Sequence, residues 1–134
     1  MAGDYYPDRA NAAGISRVAY NQVLWFVRSY DDMTARLADL VQQSGEKDGQ
    51  PRSKEPGDPV GETAARREKL AADIKIIDNA LLLVPEYYRN IIFENVKDRR
   101  PLYSFPEYHN ANKGTWTYWR IVFIRYVALM KGWI

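Results

Sequence analysis

Cationic side chains concentrate in the last third of the chain, where they could hold an anionic partner. Residues 85–134 contain 8 Lys and Arg against 4 Asp and Glu, whereas residues 1–84 contain 11 against 13, so the two parts carry formal charges of +4 and −2. Such a basic region suits a polyanion, because Lys and Arg neutralise phosphates. A charge excess of this size also occurs without one. The cations that we single out are Lys97, Arg99, Arg100, Lys113, Arg120 and Arg125.

Residues for other chemistries are scarce. The chain has no cysteine and a single histidine, His109, which excludes thiol catalysis, disulfides and cysteine-ligated zinc. It has no glycine-rich phosphate cradle, no nucleophile with an evident base and no carboxylate pair at revealing spacing. Glu86 and Glu94 are interpreted as surface charges. We therefore expect a protein without enzymatic activity, cofactor or metal, and the lack of cysteine fits a reducing cytoplasm.

Three aromatic residues, Tyr103, Phe105 and Tyr108, lie in a segment that also contains two prolines. Aromatic side chains in a loop can stack on the bases of single-stranded nucleic acid. More often they pin an irregular loop to the core. Both interpretations remain open for this segment.

The chain ends in GTWTYWRIVFIRYVALMKGWI, residues 114–134, which holds three of the four tryptophans. A membrane helix needs about 20 mostly apolar residues, and Arg120 and Arg125 interrupt this run, so a membrane span is not expected. We predict a largely buried helix with Thr115 as its N-cap. The two arginines either contact a ligand or cover the rim of the helix with their stems. The widest apolar face comprises Trp116, Trp119, Phe123, Val127 and Met130.

Two earlier segments show the four-and-three spacing of apolar residues that is typical of amphipathic helices. In residues 16–43, Ser16 is the predicted N-cap, and in the second segment Asp58 and Pro59 begin the helix. The first stripe is Val23, Val27, Tyr30, Leu37 and Val41, broadened by Leu24, Trp25, Phe26 and Leu40; the second is Leu70, Ile74, Ile77, Leu81 and Val84. We expect a long antiparallel hairpin over residues 16–84, whose seams could also recruit a second copy.

The segments that flank the first helix are predicted to be irregular. Residues 44–60 are rich in Gly, Pro and charge, which predicts a disordered linker. Residues 1–15 lack the apolar core of a secretory signal and predict a flexible tail.

Pro85 follows Val84 directly and should end one helix and begin another, because proline suits a first turn but not a helix interior. PEYYRNIIFENV then predicts a short third helix with Tyr88, Ile91, Ile92 and Val96 on one face. The following KDRRPLYSFPEYHNANKG predicts a loop.

Two stretches of this C-terminal part carry a family resemblance. ALLLVPEYYRNII is followed about twenty residues later by TWTYWRIVFIRYVALMKGWI, and together they resemble the phage-encoded ArpU/RinA-type transcriptional regulators, which are similar to the helix-turn-helix of sigma-factor region four. The upstream DPVGETAARREKLAADIKIIDNAL also resembles this family, so the likeness covers roughly residues 58–134. The matching positions are Leu82, Val84, Pro85, Tyr88 and Arg89, then Thr115, Thr117 and Arg120.

The resemblance implies a compact helix-turn-helix over residues 85–134. This motif is abbreviated, because nothing between Arg99 and Gly114 corresponds to the family's middle helix. The start of the last helix would enter a major groove, where Arg120 would read base edges and Thr115, Thr117 and Tyr118 would meet bases and phosphates. The expected phosphate contacts are Lys97, Arg99, Arg100, Lys113 and Arg125.

The sequence as a whole predicts an all-α protein with the hairpin first and the degenerate helix-turn-helix second. We expect a cytoplasmic, phage- or prophage-encoded regulator that binds double-stranded DNA, with RNA polymerase and a second copy of the chain as further candidate partners. The alternative is a phage packaging or assembly module that acts through helical subunit contacts without recognising DNA. A binder of single strands through the loop aromatics is the third hypothesis.

Overall fold

The computed structural model describes residues 13–46 and 59–134, and it contains five α-helices, two short 3-10 helices and no strand in those residues. The α-helices are Arg17–Arg28 (α1), Tyr30–Glu46 (α2), Pro59–Leu82 (α3), Glu86–Lys97 (α4) and Lys113–Met130 (α5), and the 3-10 helices are Leu102–Ser104 and Pro106–Asn110. The predicted all-α class is confirmed. Among these residues no helix is both long and apolar enough to cross a bilayer.

The predicted first helix is divided at Ser29. Its start is as predicted, since the Ser16 hydroxyl accepts the Ala19 N–H at 3.0 Å. At the division, the Ser29 N–H lies within hydrogen-bond distance of two carbonyls, and its hydroxyl donates to the Trp25 carbonyl at 3.0 Å. A serine hydroxyl that competes for a helical carbonyl favours a bend. As a result α1 packs against α4 and α5, whereas α2 packs against α3.

Helices α2 and α3 run in opposite directions. The Tyr30 hydroxyl, at the start of α2, donates to Asp78 late in α3 at 2.8 Å. Further along α2, Leu40 lines a groove with Leu70, which lies earlier in α3. Burial raises the pKa of Tyr30 to about 12, and the hydrogen bond to Asp78 acts in the same direction.

The core lies where α1, α3, α4 and α5 meet. Its fully buried side chains include Tyr20, Val23, Leu24, Val27, Ile77, Val84, Ile92, Val96, Trp116, Phe123, Ile124 and Val127. The predicted stripes supply many of these residues. Trp25 and Val41 were predicted to be buried, which is wrong: both are exposed, and Trp25 keeps 70% of its surface. The prediction is wrong for Trp25 because this residue lies on the side of α1 that faces away from the core.

The segment before α1 contributes to the core. Residues 13–15 belong to the predicted flexible tail, yet Ala13 and Ile15 are buried. Gly14 between them has a positive φ of 72°, and a Cβ there would lie 2.9 Å from the Arg125 side chain. The positive φ favours glycine at this position, because residues with a Cβ rarely adopt it. The rest of the tail, residues 1–12, lies outside the described residues.

The predicted linker also lies mostly outside the described residues, which exclude residues 47–58. Helix α2 extends to Glu46 and α3 begins at Pro59, so the linker prediction extended too far at both ends. Pro59 is the first helical residue as predicted, because its fixed φ and missing N–H suit that position.

Candidate nucleic-acid interface

Pro85 separates α3 from α4 as predicted. Its extended backbone, with a ψ of 149°, immediately precedes Glu86, the first residue of α4. The Arg89 guanidinium returns to the end of α3, where it donates to the Leu81 and Val84 carbonyls at 2.9 to 3.1 Å. Arg89 therefore satisfies carbonyls that a helix end would leave without donors.

The buried face of α4 is the predicted one. Ile91, Ile92 and Val96 are buried, and Tyr88 is half-buried. This face fixes α4 against α1 and α5, because both helices contact it.

The segment between α4 and α5 is pinned by one of its aromatic residues. Phe105 is buried, and the Arg100 guanidinium lies 4.0 Å from the centre of its ring. Tyr108 lies against Trp116, with ring centroids 6.0 Å apart, whereas Tyr103 is exposed. The three aromatics therefore do not form one stacking platform for single strands, because only Tyr103 presents its ring to solvent.

Helix α5 begins three residues earlier than predicted. The N-cap is Asn112, whose side chain accepts the Gly114 N–H at 2.7 Å. Thr115 was predicted to be the cap, but it is the third helical residue and its own N–H bonds to the Asn112 carbonyl at 3.0 Å. Asn112 suits the N-cap position, since asparagine caps helices at least as well as threonine.

The first two turns of α5 combine a buried anchor with an exposed side. Trp116 is fully buried, and its ring meets Tyr88 edge to face at a centroid distance of 4.6 Å. Lys113, Thr117 and Tyr118 are exposed. The Thr117 hydroxyl donates to the Lys113 carbonyl at 3.2 Å, which places the two residues one above the other.

Arg120 was predicted to read base edges, and this prediction is wrong. The residue is only 8% exposed, and its guanidinium donates to Asn95 Oδ1 at 2.6 Å and to the Tyr20 hydroxyl at 2.7 Å. Position 120 is buried because it follows Trp116 by one turn and therefore shares its face. An arginine held there by α1 and α4 cannot extend into a groove of DNA.

Lys97 was expected to contact a phosphate, but its charge is already neutralised within the protein. Its ammonium lies 2.9 Å from carboxylate oxygens of both Asp31 and Asp98, and its side chain is largely buried. The hydrogen bond to Asp31 and then that to Asp98 raise the pKa of Lys97. This residue joins α4 to α2, so it does not belong to the exposed cations that could meet a phosphate.

Arg125 is exposed, but it lies on another part of the surface from Lys113. Its Nη1 donates to the Ala13 carbonyl at 2.6 Å and so holds the segment before α1. Twelve residues of helix separate it from Lys113, which corresponds to roughly 18 Å. The two residues therefore do not meet as parts of one compact contact.

Arg99 and Arg100 follow directly after the end of α4. Both are exposed; Arg100 donates to Ser104 at 3.0 Å and pairs with Glu94 at 3.4 Å, but unlike Lys97 its side chain stays 46% exposed. Asn95 bridges this segment to the last helix, because its side chain donates to the Arg100 carbonyl at 2.8 Å and accepts from Arg120. We define the basic edge as the exposed residues Arg99, Arg100, Lys113, Thr117 and Tyr118.

The sequence did not predict the residues whose hydrogen bonds hold this region in place. Asn95 carries no motif, and Tyr20 has the same spacing as ordinary core residues. Asn112 had a usable signal, because an asparagine directly before a long apolar segment favours an N-cap. The half-buried Thr115 completes the predicted set, next to the edge but not fully exposed.

Comparison with protein-family models, with curated proteins and with solved structures gives no match. What the basic edge binds must therefore be inferred from its own residues.

Proposed function

We propose that this chain is a DNA-binding transcriptional regulator of phage or prophage origin that contacts double-stranded DNA with the basic edge. The observation that carries the proposal is the exposure of Lys113, Thr117 and Tyr118 in the first two turns of α5. That helix contains no acidic residue. The positive end of the helix dipole and the Lys113 ammonium therefore act on an anion in the same direction.

In this proposal the basic edge divides into two kinds of contact. Arg99, Arg100 and Lys113 hold phosphates, which set affinity and register. Thr117 and Tyr118 are exposed and supply contacts to bases, where the Thr117 hydroxyl, which donates to the Lys113 carbonyl, still serves as an acceptor. The resemblance to ArpU/RinA-type regulators supports the same helix as the DNA-contacting element, with Arg120 positioning that helix instead of reading bases.

The proposal assigns a non-catalytic role in the cytoplasm. RNA polymerase is the further partner that the regulatory role implies. The resemblance alone carries the polymerase contact.

The test is a binding titration of the full chain with labelled duplex DNA by fluorescence anisotropy at several salt concentrations. Three phosphate contacts predict a logarithmic salt slope of about −2.7. Binding to a single strand of the same length should be weaker, because only Tyr103 among the loop aromatics is exposed. A flat response to salt, or a preference for the single strand, would overturn the proposal.

The alternative is a phage assembly module without DNA recognition. A specific observation favours it: Val18 and Trp25 are exposed on α1, with 69% and 70% of their surfaces accessible. Large exposed apolar side chains that cluster mark protein contacts. A stable ring or higher oligomer by light scattering, with no affinity for duplex DNA, would favour this function.

A further inference from the structure

Helix α1 carries apolar side chains on two opposite sides. Its inner side, with Tyr20, Val23 and Val27, is buried in the core. Its outer side carries Val18, Asn21, Gln22, Trp25 and Ser29, which we call the α1 outer face. These five residues follow each other at spacings of three and four, or as neighbours, and so form one stripe along the helix.

The α1 outer face continues onto the end of the chain. Its residues line a shallow groove of about 530 Å³ together with Phe26 and Trp133. The two aromatic rings meet edge to face with centroids 5.8 Å apart. Because Trp25, Phe26 and Trp133 each offer a large apolar side chain, the surface is more than a single exposed hydrophobic residue.

We propose that the α1 outer face binds a second copy of this chain about a twofold axis. The first argument is electrostatic, because none of the described residues that line the groove is charged, and Arg28 beside the stripe turns to the Val96 carbonyl at 3.3 Å. Two identical surfaces that meet about a twofold axis bring each charge towards its own equivalent, so a surface without charges avoids that repulsion. The neighbouring Lys131 is neutralised by Asp73 at 3.1 Å.

The second argument comes from the polar residues within the stripe. Asn21 and Gln22 each carry an amide that both donates and accepts hydrogen bonds. An amide near a twofold axis can therefore pair with the same amide of the other copy, which a carboxylate or an ammonium cannot do. The outer face thus combines apolar anchors at Val18 and Trp25 with self-complementary groups between them.

The size of the face predicts a weak dimer. Stable complexes bury roughly 800 Å² on each partner, and a helix of 12 residues is about 18 Å long. One helix with its neighbouring aromatics therefore falls into the smaller, weaker class of interface. We expect association at concentrations of roughly micromolar and above.

Sedimentation equilibrium of the full chain over a concentration series tests the proposal. The wild type should shift from monomer to dimer, and the double substitution Val18→Glu with Trp25→Glu should remain monomeric because four carboxylates would then meet at the interface. The matched control is the double substitution Leu82→Glu with Leu83→Glu, which places the same two charges on aliphatic residues that are 65% and 47% exposed at the end of α3. Circular dichroism checks that each variant is folded.

A chemical test locates the contact. The chain contains no cysteine, so Gln22→Cys introduces a single thiol. A short bis-maleimide should link this variant into covalent dimers, while Ala72→Cys, at an exposed position of α3, should remain uncrosslinked. A wild type that stays monomeric at several hundred micromolar, roughly a hundredfold above the expected range, would overturn the proposal. So would a dimer that survives both glutamates or crosslinks equally through residue 72.

Discussion

At the scale of single residues, Arg120 brings a permanent charge into the core between α1, α4 and α5. The hydrogen-bond partners of its guanidinium are a tyrosine hydroxyl and an asparagine amide, both neutral. The planar fork of an arginine can reach two such partners on different helices at once. Its role is therefore to fix the orientation of α5, on which the basic edge depends.

Substitution of Arg120 by methionine should lower the free energy of unfolding by roughly 2 to 3 kcal/mol. The change leaves the Tyr20 hydroxyl and Asn95 without their charged partner, and hydrogen bonds to charged groups have about that value. Urea denaturation measures the effect. Arg36→Met is the matched control, because Arg36 pairs with Asp32 on an exposed surface and should change stability by less than about 0.5 kcal/mol. Equal effects in the two variants would show that Arg120 does not organise the core.

Tyr30 should make stability depend on pH in the alkaline range. Its pKa is raised from 10.0 to about 12 by burial and by Asp78. Since the folded-state pKa lies above the unfolded value, the stabilisation is fully present below pH 10 and is lost as the pH rises from about 10 to about 12.

The comparison of wild type with Tyr30→Phe isolates this contribution. The difference in their unfolding free energies should be constant below pH 10 and shrink above it. A difference that stays constant as the pH rises from about 10 to about 12 would contradict the account.

At the scale of elements, the beginning of α5 depends on Asn112. Because its side chain accepts the Gly114 N–H, Asn112→Ala should destabilise the protein by about 1 kcal/mol. Thr115→Ala should cost less than about 0.5 kcal/mol, as expected for a residue without a capping role. Thermal or urea unfolding of the two variants measures both losses of stability. A larger loss for Thr115→Ala than for Asn112→Ala would show that Thr115 is the N-cap.

The sequence predicted elements well where a local signal dominates. Pro85 separated two helices because its ring excludes it from a helix interior, and Ile91, Ile92 and Val96 marked the buried side of α4 by their spacing. It did not predict the bend at Ser29, because the apolar period continues across that residue. The bend depends on the Ser29 hydroxyl, which donates to the Trp25 carbonyl. It also depends on the different helices against which α1 and α2 pack in the folded chain.

The candidate site was harder to predict than the elements. Apolar residues almost surround α5, so the pattern alone could not fix which side faces the core. Arg120 was placed at the surface because arginines usually lie there. Its actual partners are 25 and 100 residues away in the chain, and no local pattern reveals them.

At the scale of the whole molecule, two surfaces with different chemistry lie on different elements. The basic edge comprises the exposed start of α5 together with Arg99 and Arg100 after α4. The α1 outer face lies on the side of α1 opposite Tyr20, which contacts α5 through Arg120. DNA binding and self-association can therefore succeed or fail independently. A dimer formed through the α1 outer face would present two basic edges to DNA in a fixed relative orientation.

The most direct measurement of the central claim compares the DNA affinity of Lys113→Glu with that of Lys75→Glu over a range of salt concentrations. Both substitutions reverse an exposed lysine, but only Lys113 belongs to the basic edge. We predict that Lys113→Glu weakens duplex binding at least about tenfold and reduces the salt slope by about 1, and that Lys75→Glu leaves the slope unchanged. Equal behaviour of the two variants would contradict the assignment of duplex binding to the start of α5.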